Sequence, residues 1–311
     1  MLKVIFMGTS GFAIPVLAAL AKNGAEVIVY TQPDRRSGRG RQLAASPIKK
    51  IAVEMDIPVK QPESLLKKIV VDEIWDVNPD VIIVASYSLL LPKAVIDFPR
   101  YGCLNIHPSL LPRYRGPSPI MAAILDGQAI TGVSVMKMDE GLDTGPILAQ
   151  KEMPIRSGDT TKSLSDALFV EGADLLMKAL PDLEDGQIEP IPQDETLATY
   201  TRKVVKSDGK AEWSLPATQI ERQIRAFNPW PILHSSWKGR DIRIIEAVAV
   251  QTSHKRIPGK IIKLDEERPV GIITGDGIIV FNKLQLAGGK PITAKQFIKG
   301  HPGFVDSILP N

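Results

Sequence analysis

The sequence predicts an α/β chain: a Rossmann-like, mostly parallel sheet followed by a small OB-like β-barrel. Three observations carry that prediction. Short, nearly continuous apolar runs alternate with helical patterns through the first half, as parallel strands covered on both faces require. Then EDGQIEPIPQDETLATYTRK fills with proline and polar residues and loses any sustained period, as interdomain segments do. Beyond it, short strand-like runs recur at regular spacing with turn signals between them, the pattern of a small barrel. We therefore divide the chain into an N-terminal domain of residues 1–188, a linker of 189–207 and a C-terminal domain of 208–311.

Taken in order, KVIFM is the first strand, a helix covers 11–22, and EVIVY is the second strand. This β-α-β unit accounts for the apolar N-terminus without a signal peptide. Helical patterns near 46–55, 64–75 and 117–126 separate the strands DVIIVAS, GCLNI and GVSVMKM, and Ser157 to Leu183 is one long helix. After the helix PATQIERQIRAF come RDIRIIEAVAV, GKIIKL, PVGIIT and DGIIVFNKLQL, with turns at Lys238–Gly239 and Gly275–Asp276–Gly277. We expect a barrel of five strands, the kind that binds oligonucleotides.

The single cysteine, Cys103, permits no internal disulfide, so a cytoplasmic protein is expected. Four histidines without a CxxC pair argue against structural zinc. No apolar stretch is long enough to span a membrane, and with no heptad pattern a monomer is expected. The net charge of +3 is mild but uneven. The part from residue 208 onward carries the surplus of lysine and arginine, which suits either a polyanionic partner or ordinary solubility.

Four motifs could carry chemistry. MGTSGF, Met7 to Phe12, lacks the third glycine of a dinucleotide fingerprint and reads as a tight turn into a helix, which disfavours a dehydrogenase. TQPDRRSGRGRQ sets Arg35, Arg36, Arg39 and Arg41 among small, turn-forming residues. Such a loop is either merely solvated or reaches phosphates, because guanidinium forks fit phosphate oxygens. Its place after a strand, at the edge where ligands bind, favours the second.

In NIHPSLLPRYRG, Asn105 and His107 sit two apart at a strand end and so can face one site. An amide can donate to a developing oxyanion, and an imidazole can bond the same oxygen or move a proton. The competing reading is a core histidine with satisfied bonds, which the neighbouring Asn105 weakens. Ser109, Leu110, Leu111 and Pro112 follow, with apolar walls suited to a flat heteroaromatic ligand. In MDEGLDTGPIL, Asp143 lies between glycines, either in an ordinary turn or deep in the cleft, orienting His107.

Together these residues resemble the folate-dependent formyltransferases. Asn105, His107 and Asp143 match that family's catalytic trio, and SLLP matches its signature. TQPDRRSGRG resembles the tRNA-contacting insertion of the members that act on methionyl-tRNA. RAFNPWP (Arg225 to Pro231), with a C-terminal barrel, is similar to those members' second domain. The resemblance implies transfer of a formyl group from 10-formyltetrahydrofolate to the α-amine of methionine on initiator tRNA, without a metal. It implies oxyanion stabilisation by Asn105 and His107, orientation and proton movement by Asp143, and folate contact by Ser109, Leu110, Leu111 and Pro112. It also implies tRNA contact by Arg35, Arg39, Arg41 and the barrel. An amino-sugar nucleotide is the alternative acceptor; the arginine loop and basic barrel favour tRNA. A non-catalytic nucleic-acid-binding protein would not need a complete trio.

Overall fold

The structure is a computed structural model that describes residues 1–37, 42–253, 257–265, 267 and 269–310. Arg39 and Arg41 lie outside the described residues. The chain forms two compact units: Met1–Pro119, Ile130–Pro154 and Ser165–Thr201 make the first, and Ile120–Ala129, Ile155–Leu164 and Arg202–Asn311 the second.

The first unit opens with β1 (Lys3–Gly8), α1 (Ile14–Lys22) and β2 (Glu26–Tyr30). A small hairpin follows, β3 (Arg35–Ser37) and β4 (Gln42–Ala44), in place of the plain loop that the sequence predicts. Next come α2 (Pro47–Glu54), β5 (Val59–Lys60), α3 (Lys68–Val77), β6 (Val81–Ala85) and α4 (Lys93–Ile96). The series continues with β7 (Cys103–His107), α5 (Pro119–Leu125), β8 (Ile130–Lys137), β9 (Ile147–Pro154) and α6 (Thr161–Glu184). Most of α5 and the first turn of α6 fall in the second unit.

Local chemistry sets many of these boundaries. In α2 the Ser46 hydroxyl caps the N-terminus by accepting from Lys49 N, and Pro47 occupies the first turn where no N–H is needed. Helix α3 stops at Asn78, whose φ of 50° is left-handed.

Seven strands pair in the order β5-β2-β1-β6-β7-β8-β9. The first five are parallel, as the apolar runs predict. The strand GVSVMKM is not: β8 runs antiparallel to both β7 and β9. The turn at 138–146 between β8 and β9 is too short for the crossover that parallel pairing demands. Strands β1, β6 and β7 are buried almost throughout, and each fully buried aliphatic side chain there contributes about 1.5–3 kcal/mol. Helix α6 lies close on β7 and β8, because a Cβ at Gly172 would meet Cγ2 of Ile106 at 2.6 Å and that of Val133 at 3.1 Å. The strand order reverses between β1 and β6, so the carboxyl ends of these strands are where a ligand crevice belongs.

The second unit contains α7 (Ala217–Ala226), β10 (His234–Trp237), β11 (Arg240–Val250), β12 (Ile261–Lys263), β13 (Val270–Ile273), β14 (Ile278–Leu286), β15 (Ile292–Thr293) and α8 (Ala294–Gly300). Its antiparallel sheet runs β10-β11-β14-β13-β12, with β15 added to β14. The sheet curls into a half-barrel, helped by register shifts on β11 near Ile244 and Glu246. Among the described residues it has six strands rather than five; β10 is the mostly polar HSSW and β15 has two residues, so neither shows in the apolar pattern. Trp213, Phe281, Phe297 and Phe304 fill its core. RAFNPWP acts here as a clasp: Thr161 Oγ1 donates to the Ala226 carbonyl at 2.6 Å and Arg225 donates to that of Asp159 at 3.1 Å.

Candidate active site

The site is built on the end of β7. Asn105 and His107 pair with Met136 and Ser134 of β8, so both side chains leave the same face of the sheet. His107 is 5% exposed. One end of its ring is fixed, because Nε2 lies 3.0 Å from the carbonyl oxygen of Tyr114. A carbonyl can only accept, so Nε2 carries a hydrogen and Nδ1 is the nitrogen left for chemistry.

Nδ1 faces Asp143. The Oδ2 atom of Asp143 stands 3.6 Å from Nδ1 and accepts the Gly116 N–H at 2.7 Å. Its Oδ1 atom is 3.5 Å from Nδ2 of Asn105, which donates. The structure therefore brings Asn105, His107 and Asp143 to one point, through contacts of 3.5 and 3.6 Å.

Asp143 arrives there on the turn between β8 and β9. Asp139 shapes that turn by accepting from Gly141 N at 3.0 Å and from Thr144 Oγ1 at 2.7 Å. Gly145 passes so close to the Lys137 carbonyl that a Cβ has no room. Two site residues hold left-handed backbone, Asp143 at φ 55° and Tyr114 at φ 62°. Aspartate tolerates that region; a tyrosine there is a true outlier.

Ser109 and Leu111 are 1% and 3% exposed, while Leu110 and Pro112 are half-buried. Their backbone groups are already engaged: Ser134 Oγ donates to the Ser109 carbonyl at 2.6 Å, and Gln150 donates to that of Leu111 at 2.8 Å. At the reversal of strand order, Thr9 Oγ1, Tyr30 OH and Tyr87 OH are buried without a hydrogen-bond partner. Burial pushes the Tyr30 phenol up to about 12. These hydroxyls keep hydrogen-bonding capacity that a polar group placed there could use.

On the hairpin, Arg35 is exposed. The hairpin's root is fastened by Asp34, which accepts from Lys49 at 2.8 Å and from Gln61 at 2.8 Å. The Lys49 hydrogen bond, followed by that of Gln61, holds the Asp34 carboxyl below its ordinary range. No group of three or more His, Cys, Asp or Glu side chains among the described residues is placed to hold a metal ion.

Residues that the sequence reading passed over complete the surroundings: Arg115, Gln193, Thr199 and Tyr200. Arg115 is fully buried, and burying an arginine calls for partners, but RYRG carries no local mark of it. Gln193 lies fifty residues from its partner Asp143 and has no signal in its own neighbourhood.

An α/β sheet presenting an amide, an imidazole and a carboxylate at one strand end is the arrangement of a group-transfer enzyme. The chain belongs to the formyl transferase family: residues 2–180 match "Formyl transferase" and residues 203–302 match "Formyl transferase, C-terminal domain". A relative from Hydrogenovibrio crunogenus, called methionyl-tRNA formyltransferase, is 43% identical over 297 residues, covering 95% of each chain. One of the same name from Coxiella burnetii is 43% identical over 310 residues, 99% of this chain and 98% of its own. Among solved structures, HypX from Aquifex aeolicus in complex with tetrahydrofolic acid matches with a TM-score of 0.65 at 20% identity, over 98% of this chain. This chain spans 48% of that longer one. An N-formyltransferase from Helicobacter canadensis, in complex with folinic acid and dTDP-3-aminofucose, matches with a TM-score of 0.64 at 21% identity, over 90% of this chain and 99% of its own. At such identities the two structures speak to the fold alone.

Proposed function

We propose that this chain transfers the formyl group of 10-formyltetrahydrofolate to the α-amino group of methionine on initiator tRNA. The observation that carries the reading is the convergence of Asn105, His107 and Asp143 on one point at the end of β7. The names of the 43% identical relatives support the acceptor.

In this reading the Asn105 amide donates to the formyl oxygen as the amine adds to the formyl carbon and that oxygen becomes negative. His107, with its Nε2–H committed to the Tyr114 carbonyl, works through Nδ1. The proton lost by the amine passes to Nδ1 or Asp143 and returns to N10 as the C–N10 bond breaks, which balances the step. Removing one such oxyanion donor typically costs about 3 kcal/mol of transition-state stabilisation.

For the donor, the unpaired hydroxyls of Thr9, Tyr30 and Tyr87 at the switch point suit the polar edge of a flat heteroaromatic ring. Ser109, Leu110, Leu111 and Pro112 enter as the wall that shapes this side, two of them from buried positions. For the acceptor, Arg35, with Arg39 and Arg41 of the same loop, contacts the tRNA. The second unit adds exposed cations, among them Lys210, Lys238, Arg240, Arg243 and Lys290. The division into a catalytic domain of 1–188, a linker of 189–207 and a tRNA-binding domain of 208–311 belongs to the same proposal. So do a monomeric state, since one chain supplies every residue invoked, and a place in the cytoplasm. No helix among the described residues is long and apolar enough to cross a membrane.

The test is formyl transfer from 10-formyltetrahydrofolate, comparing charged initiator tRNA with a nucleotide-linked amino sugar. Transfer to tRNA that weakens steeply with salt is the expected result, because phosphate contacts release counterions. Transfer to the sugar alone overturns the acceptor, and transfer to neither overturns the reaction.

A further inference from the structure

We infer that Gln193, clamped by the buried Arg115, is a positioning residue that sets Asp143 against His107. Segment 191–201 is then a brace of the catalytic site as well as a connection. The inference rests on the reading of the Asn105–His107–Asp143 trio above.

The geometry begins at Arg115, which is 0% exposed. Its guanidinium has five N–H donors, and each finds an acceptor. Nε donates to Gln193 Oε1 at 3.0 Å, and Nη2 to the same oxygen at 2.9 Å and to Glu195 Oε1 at 2.7 Å. Nη1 donates to Glu195 Oε2 at 2.9 Å and to Tyr200 OH at 2.9 Å. Because arginine can only donate, the Gln193 oxygen must face it, and the Gln193 NH2 group must face away.

That NH2 group meets the catalytic turn. Gln193 Nε2 donates to the Asp143 carbonyl at 2.8 Å and to the Gly145 carbonyl at 2.7 Å. One side chain therefore bridges both sides of Thr144 and holds the turn in the shape that presents the Asp143 carboxylate.

The same segment grips the other half of the site. Thr199 Oγ1 accepts from Tyr114 N at 2.8 Å, and the Thr199 carbonyl accepts from Arg115 N at 2.9 Å. Thr201 N donates to the Arg115 carbonyl at 2.7 Å. Tyr114 supplies the carbonyl that fixes His107, and Gly116 supplies an N–H to Asp143. Both left-handed residues, Tyr114 and Asp143, are thus tied down by 193–201. Strained backbone of this kind persists only where its surroundings over-determine it. A displacement of about 1 Å at a reacting group costs on the order of 100-fold in rate, so loosening this turn should appear in kcat.

The test uses the full-length chain with Gln193→Glu and Gln193→Ala. Gln193→Glu keeps an oxygen for Arg115 but turns a carboxylate onto the two carbonyls; Gln193→Ala removes both sets of bonds. With thermal melting confirming folded protein at the assay temperature, kcat should fall about ten-fold or more in both. KM for donor and for tRNA should stay within about three-fold, and the pH profile of kcat/KM should shift. A folded variant with wild-type kcat and pH profile overturns the inference, leaving Gln193 a structural residue only. Asp143→Asn, run alongside, separates the two readings. If it too turns over normally, the trio itself is misassigned; if it is inactive while the Gln193 variants are normal, only the brace fails.

Discussion

The edge that carries the proposed catalytic trio and the arginine hairpin are both polar and both follow strands of the same sheet, yet they are built in opposite ways. At the edge, polar groups answer one another: His107 with Tyr114, Asp143 with Gly116, Arg115 with Gln193, Glu195 and Tyr200. On the hairpin, Arg35 and Arg36 are exposed and even Leu43 is 68% exposed. The root is fastened by Asp34, Lys49 and Gln61. Under the proposed function, groups that must keep their geometry through a reaction are immobilised from within their own unit, and groups that would meet a large partner from outside keep their bonding capacity for it.

The strongest way to break this contrast is at His107. His107→Ala should lower kcat by about 100-fold or more with the fold retained. Steady-state kinetics near the wild-type rate would remove the edge from catalysis.

A smaller effect is expected at Gly116, whose φ is +102° and whose added Cβ would stand 2.7 Å from the Thr201 carbonyl oxygen. Gly116→Ala should destabilise the protein by about 1–3 kcal/mol and lower kcat as well. An unchanged urea midpoint would mean that the edge is less tightly held than described.

The hairpin should behave otherwise. Arg35→Ala should leave stability within about 0.5 kcal/mol while raising KM for tRNA a few-fold and leaving folate affinity alone. A clear loss of thermal stability would place Arg35 among the structural residues and erase the contrast.

The least effect lies at the outer rim of the brace, where Glu195 has a side chain 66% exposed. The hydrogen bond from Arg115 holds its carboxyl below the ordinary value. A carboxyl whose folded pKa is depressed adds stability above its unfolded pKa, and that stability is lost as pH falls through the folded one. The melting temperatures of wild type and Glu195→Gln should therefore differ slightly at neutral pH and converge in acid, the gap being small because solvent screens the pair. A gap that widens on acidification would contradict the assigned pairing.

Much of the fold was legible because its signals are local. The runs KVIFM, EVIVY and DVIIVAS became β1, β2 and β6, and the i, i+2 spacing of Asn105 and His107 put both on one face of β7. Short elements escaped: β5 and β15 have two residues each, below any period. Helix α8 did carry a readable start, since Thr293 and Gln296 form a capping box.

By itself, then, the sequence determined the strands and helices whose apolar periods run several residues, and the kinds of side chain available at the end of β7. Periodicity of burial is written into consecutive residues, so it survives without the fold. Only the tertiary structure decided that β8 runs antiparallel to β7, that Arg115 is buried, and that Gln193 reaches back fifty residues to Asp143. A hydrogen bond between distant residues depends on where the chain returns in space. Neither partner bears a local mark of the other.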